Sequence, residues 1–230
     1  MNSPGKTKPG SADLQNLFDR LLSEHGPQHW WPAESDYEMI VGAILTQNTS
    51  WENVETALGQ LKSNRIWAWD AVLETPVETL AEVIKPSGYF NQKARKLKLF
   101  AEFLDSDFER STDRLFQLPL PELRKQLLAQ WGIGPETADD IILYAAKMPV
   151  FVIDNYTQRL TGRLGWSIEP SDYEGHRAIF ESLLPADVEM FNEFHALIDH
   201  HCNGTCTKTP KCGECGIADI CALGKASQSP

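Results

Sequence analysis

Residues 120–156 read LPELRKQLLAQWGIGPETADDIILYAAKMPVFVIDNY. Helical spacing over Leu120–Leu128 stops at Trp131-Gly132-Ile133-Gly134, and a second helical stretch opens with Pro135 and Glu136. Two glycines around one apolar residue make a tight turn that plugs Ile133 between the helices, and proline suits a first helical position. Such a turn aims backbone N–H groups outward at a helix N-terminus, where Gly132, Ile133 and Gly134 would hold a phosphate without a cationic side chain. A plain helix–turn–helix joint with a glycine stop carries the same letters. Eighteen residues past Glu136, the apolar run Val150–Ile153 ends in Asp154, where another helix begins. An aspartate there is by itself an ordinary N-cap, worth about 1 kcal/mol.

Outward from this segment the same helical periodicity recurs, beginning at Leu14, Leu17, Phe18, Leu21 and Leu22. It continues through residues 37–45, 54–61, 77–84, 94–104, 156–164, 173–183 and 188–198, with short Pro and Gly breakers between. Val150–Ile153 has strand character but is too short and solitary to build a sheet. The fold class predicted is all-α. Hydrophobic residues make up 42% of the 230-residue chain and charged ones 23%, an ordinary globular balance. The N-terminal MNSPGKTKPGS reads as a disordered leader over residues 1–11, with no apolar signal, and no run reaches a membrane span. A cytoplasmic protein with no membrane partner is expected. The net charge of −11 argues against a protein that coats nucleic acid, yet a local basic face and backbone donors suffice to grip one short stretch of backbone.

Four of the five cysteines form Cys206-x5-Cys212-x2-Cys215-x5-Cys221. Structural zinc sites more often use two separated pairs, whereas one CxxC between longer spacers suits a [4Fe–4S] cube. Cys202 is a bystander or a competing ligand. His29-Trp30-Trp31-Pro32 and Trp51 lie between helical stretches and are candidates for an aromatic slot, with interface packing as the plain alternative. Lys93, Arg95, Lys96 and Lys98 form the densest basic cluster, a pattern whose default reading is a solvated helix face.

Taken together, GIGPETADDIILYA, VFVIDNYTQRL and the cysteine loop resemble the endonuclease III-like helix-hairpin-helix (HhH-GPD) DNA glycosylase superfamily, over about Leu14 to Cys221. The resemblance implies a two-lobed helical fold. One lobe is a six-helix domain over 28–148 with the hairpin at 120–146; the other joins 12–27 to 149–230 and carries a [4Fe–4S] loop at 206–221. It implies that Asp154 is the catalytic carboxylate, stabilising an oxocarbenium-like sugar, handling water, or both. Bifunctional members carry a lysine in the hairpin's second helix that forms a Schiff base; Glu136 stands there, so an imine is excluded and a monofunctional hydrolase leaving an abasic site is expected.

The Trp-Trp-Pro run, the LTQNTSW stretch and Glu136 look like the 3-methyladenine DNA glycosylase III subgroup, which implies a base pocket of Trp30, Trp31, Pro32, Trp51 and Glu136. An electron-rich slot suits a cationic N-alkylated purine. The subgroup is not uniform in having an iron–sulfur loop, and the first cysteine spacer is one residue shorter than the family's usual one. The resemblance further implies that Gln47 enters the gap left by a flipped nucleotide, and that Lys93, Lys208 and Lys211 meet the DNA backbone. The partner implied is double-stranded DNA with a damaged base, bound by a monomer. A glycosylase for deaminated or mismatched pyrimidines, or a non-catalytic DNA-binding iron–sulfur protein, are the rival readings.

Overall fold

A computed structural model describes residues 7–228, which divide into two compact units. Residues 1–6 of the expected leader lie outside the described residues. Its end differs from the expectation: the Thr7 N–H donates to the Gly165 carbonyl at 3.0 Å, the Ser167 N–H donates to the Thr7 carbonyl at 2.8 Å, and helix α1 already begins at Ser11. Thr7 finds backbone partners, so the chain is ordered four residues before the helix.

The first unit comprises the chain up to Trp30 and from Pro149 onward. It contains α1 (Ser11–His25), α10 (Asn155–Leu164), α11 (Tyr173–Leu183), α12 (Val188–Gly204) and α13 (Ala222–Gln228). Its core is aromatic: Phe151 packs on Phe180, Phe191 and Phe194 with ring centroids 4.2, 5.3 and 5.7 Å away. Val150, Phe151, Val152 and Ile153 are buried outside any helix or strand. Side chains of α11 satisfy its backbone instead: the Phe151 N–H donates to Glu181 at 3.0 Å and the Ile153 N–H to the Tyr173 hydroxyl at 3.4 Å.

The second unit, Trp31–Met148, holds α2 (Asp36–Leu45), α3 (Trp51–Ser63), α4 (Trp69–Glu74), α5 (Val77–Val83), α6 (Phe90–Phe108), α7 (Thr112–Phe116), α8 (Leu120–Leu128) and α9 (Pro135–Asp140). A π-helical segment, Ile141–Ala145, continues α9. These are eight α-helical segments where six were expected; the short extra turns α4 and α7 lack the length to show periodicity. Every residue from Met39 to Leu45 is buried, as an all-round apolar helix requires, and α2 packs against α3, α6, α9 and the π segment.

Lys93 of α6 corrects the sequence reading. It is 2% exposed, and its ammonium donates to the carbonyls of Leu45 (2.9 Å) and Ser87 (2.6 Å). It lies on the buried stripe with Leu97, Phe100 and Leu104, so its charge is turned inward to the fold rather than out to solvent. Burial, assisted by the nearby Lys96 charge, lowers its pKa to about 8. Lys98 is likewise occupied, donating to the carbonyls of Val72, Leu73 and Thr75. Lys93→Ala would leave two inward carbonyls without their donor and a cavity beside α2, so urea denaturation is expected to show a loss of about 3 kcal/mol. A loss below about 0.5 kcal/mol would show that water replaces the ammonium.

Candidate active site and cysteine loop

The hairpin is built by its turn. Gly132 has φ +82°, which an L side chain rarely adopts, and a Cβ there would lie 2.4 Å from Lys96 Cε. The Ile133 N–H donates to the Gln130 carbonyl at 3.1 Å, and the side chain is 6% exposed. Gly134, extended at φ −91° and ψ 178°, caps α9, with Pro135 as its first residue. Arg124 of α8 donates two hydrogen bonds to Asp139 of α9, at 2.7 and 3.1 Å, and Asp139 is fully buried. This fork locks the two helices together while the turn itself stays exposed at Gly132 and Gly134. Glu136 is exposed in the first turn of α9.

Gln47 is anchored to this hairpin. Its amide donates to Thr137 Oγ1 at 2.8 Å and to the Gly132 carbonyl at 3.3 Å, and its oxygen accepts from the Lys96 ammonium. Desolvation lowers the Lys96 pKa, so this cation belongs to the Gln47 contact rather than to open solvent. Of the basic cluster, Arg95 is exposed, with its guanidinium 4.4 Å from the ring of Trp131, itself 46% exposed. Arg95 thus keeps the solvated position that the default reading of the cluster gave it, whereas Trp131 as a surface aromatic was passed over.

In the same unit, Trp31 and Trp51 meet edge to face with centroids 4.9 Å apart, and Tyr144 lies 5.5 Å from Trp31. A Cβ on Gly42 would stand 3.2 Å from the Trp31 indole, so glycine lets the ring lie close on α2. Pro32 is exposed beside it, whereas Trp30 belongs to the first unit. Tyr144 was missed because ILYAA reads as core; the π segment that carries it, a geometry that often marks functional sites, has no sequence signature here.

In the first unit Asp154 fills the capping role that its sequence allowed. As N-cap of α10 its Oδ1 accepts from the Thr157 N–H at 2.7 Å and the Thr157 hydroxyl at 2.8 Å. Its Oδ2 lies 3.9 Å from His195 Nε2, and the side chain is 13% exposed. A hydrogen-bonded chain flanks it: the Tyr156 hydroxyl donates to Asn203 at 2.7 Å, and the Asn203 amide donates to Asp199 at 3.0 Å. Burial raises the Asp199 carboxyl pKa; His195 opposes the shift and the charge of Asp154 adds to it. His195 and Asp199 went unread because α12 looks like a core helix; their i, i+4 spacing on one face was the available signal.

The four loop cysteines line one cavity, walled by Leu160, Ile217 and Leu223 among others. None is in a disulfide. Arg163 of α10 donates to Cys206 Sγ at 3.1 Å and to the carbonyls of Cys206, Thr207 and Lys208, while its own carbonyl accepts from Cys221. A hydrogen bond from Cys202, with Arg163 beside it, lowers the Cys206 pKa to about 6, and the same bond and burial push Cys202 far up. The buried Cys202 thiol donates to the Tyr156 carbonyl at 3.7 Å and lies off the cavity wall. Lys208 and Lys211 are exposed on the loop. Four free thiols lining one cavity are a donor set that fits a [4Fe–4S] cluster.

His201, fully buried, reaches the same cavity: its Nε2 lies 3.7 Å from Cys215 Sγ and its Nδ1 lies 2.9 Å from His25 Nε2. Burial lowers its pKa to about 4, against the opposing pull of Glu24. No helix among the described residues is long and apolar enough to cross a membrane.

Known proteins are similar to this chain in sequence and fold. A Methanocaldococcus jannaschii protein provisionally named as a DNA repair glycosylase is 41% identical over 90% of this chain and 95% of its own. Endonuclease III of Sulfolobus acidocaldarius is 27% identical over 80% of this chain and 81% of its own. The H. pylori 3-methyladenine DNA glycosylase, solved with 1,N6-ethenoadenine, superposes with a TM-score of 0.71 at 31% identity, covering 83% of this chain and 95% of that one. An endonuclease III trapped as a DNA covalent intermediate superposes at 0.82 with 17% identity, covering 96% of this chain and 100% of that one, a likeness of fold. The family model for HhH-GPD superfamily base excision DNA repair proteins matches residues 41–186, and the chain belongs to that superfamily of DNA repair glycosylases.

Proposed function

We propose that this glycosylase is monofunctional: it flips an N-alkylated purine such as 3-methyladenine out of double-stranded DNA and hydrolyses its glycosidic bond, leaving an abasic site. The observation that supports this reading is Asp154, which caps α10 with one oxygen and holds the other 3.9 Å from His195, in a chain whose hairpin helix carries Glu136 in its first turn rather than an amine. Asp154 stabilises positive charge on the sugar and orients or deprotonates the attacking water; a carboxylate at 136 cannot form an imine. The leaving base departs neutral because it was cationic before the bond broke, so little acid catalysis is required.

The Trp31–Trp51–Tyr144 cluster and the 31% identical H. pylori 3-methyladenine glycosylase support an aromatic slot for a cationic purine. Pro32 and Glu136, of the same unit, complete the proposed pocket. Backbone N–H groups at Gly132, Ile133 and Gly134 hold one phosphate, Lys208 and Lys211 another, and Gln47 fills the space of the flipped nucleotide. Cys206, Cys212, Cys215 and Cys221 hold a [4Fe–4S] cluster, which when bound cross-links the loop. The protein acts as a monomer in the cytoplasm.

Free-base release from a panel of duplexes tests the substrate class. Release of 3-methyladenine or 7-methylguanine from methylated DNA is expected; release confined to uracil or thymine in mismatches would replace it with the pyrimidine reading.

A further inference from the structure

The Cys215 corner of the loop is gripped by α1, nearly two hundred residues away in sequence. Arg20 forms a fork with Asp219 at 2.6 and 3.0 Å and donates to the Gly216 carbonyl at 3.3 Å, while Glu24 accepts from the Gly216 N–H at 3.4 Å. One residue further, His25 meets His201 through a 2.9 Å contact between ring nitrogens, and the far nitrogen of His201 faces Cys215 Sγ at 3.7 Å.

The roles in this chain are forced by chemistry. A ligand thiolate has lone pairs and no proton, so His201 Nε2 must carry the hydrogen that points at it. A neutral imidazole has only one N–H, so His201 Nδ1 is then an acceptor and His25 Nε2 must be its donor. Were His25 to present no N–H, His201 would gain by turning its own hydrogen toward His25 and away from the sulfur.

We propose that His25 and His201 form a relay that fixes one N–H on the Cys215 thiolate and thereby raises both the reduction potential and the retention of the cluster. The inference rests on reading the four cysteines as a [4Fe–4S] site. The reduced cluster carries one more negative charge, spread partly onto sulfur, so a hydrogen bond to a ligand sulfur favours the reduced form; it also holds that ligand in place.

The test uses the iron-loaded full chain. Iron and zinc analysis of wild type comes first: stoichiometric zinc without iron defeats the cluster reading itself, apart from any role of the histidines. With iron present, His201→Phe is expected to show a more negative potential in protein-film voltammetry and about tenfold faster bleaching under an iron chelator. His201→Gln, whose amide can donate near the same place, is expected to recover most of both. His25→Phe, which leaves the cavity wall intact, is expected to shift both readouts in the same direction as His201→Phe. Should His201→Phe fail to fold, His25→Phe against His25→Gln decides. Wild-type potential and bleaching in His25→Phe overturn the proposal. So does a second bound metal that His25→Phe removes without touching the cluster, since Glu24, His25 and His201 would then be ligands rather than a relay.

Discussion

Asp154→Asn is expected to slow base release at least about 10³-fold while leaving fold and DNA affinity near wild type. The cap and the proposed catalytic role separate cleanly in this substitution. The cap requires an oxygen acceptor for the Thr157 N–H and hydroxyl, at 2.7 and 2.8 Å, and an asparagine amide oxygen supplies it equally well. The chemistry requires negative charge beside the sugar and the water, and the amide has none. Asp154→Ala should match the rate loss and also cost about 1 kcal/mol of stability through the lost cap. Single-turnover base release, anisotropy on an uncleavable abasic analogue and thermal melts read the three quantities. An Asp154→Asn protein with a rate within tenfold of wild type would confine Asp154 to its capping role.

The second large effect is expected at the loop. Cys212→Ser should abolish iron binding and the absorbance near roughly 400 nm typical of thiolate-ligated clusters. It should also lower Tm on the order of 10 °C, because metal binding and loop folding are one event. The loss should remain local in its first stage. Arg163 still holds the carbonyls of Cys206, Thr207 and Lys208, and Arg20 still holds Asp219, so residues 206–221 should become protease-sensitive before the helices melt. Cys202→Ala should retain iron, because that thiol sits off the cavity and turns to the Tyr156 carbonyl. Retention of iron by Cys212→Ser would refute the ligand assignment.

The features readable in the sequence were those whose meaning is local. Gly132 and Gly134 around Ile133 define a turn whatever surrounds it, and an aspartate opening α10 is a cap by spacing alone. Lys93 was misplaced because a run of cations does not state which face of α6 it occupies; the stripe through Leu97, Phe100 and Leu104 did, and outweighs the charge. Tyr144, His195 and Asp199 owe their places to tertiary packing, and each stands in a stretch whose periodicity says only that it is a helix. The His25–His201 contact spans most of the chain, so no window could contain it. Thr7 was read as leader because its partners, Gly165 and Ser167, are equally remote.

The central claim is that water, activated at Asp154, breaks the bond without an enzyme amine. One reaction tests it most directly: a methylated duplex incubated with excess enzyme and sodium borohydride, followed for free base and resolved on a denaturing gel before and after alkali. The expected result is stoichiometric free alkylpurine, strands intact until alkali, and no protein–DNA adduct. An adduct trapped by borohydride, or strands cut before alkali, would contradict it.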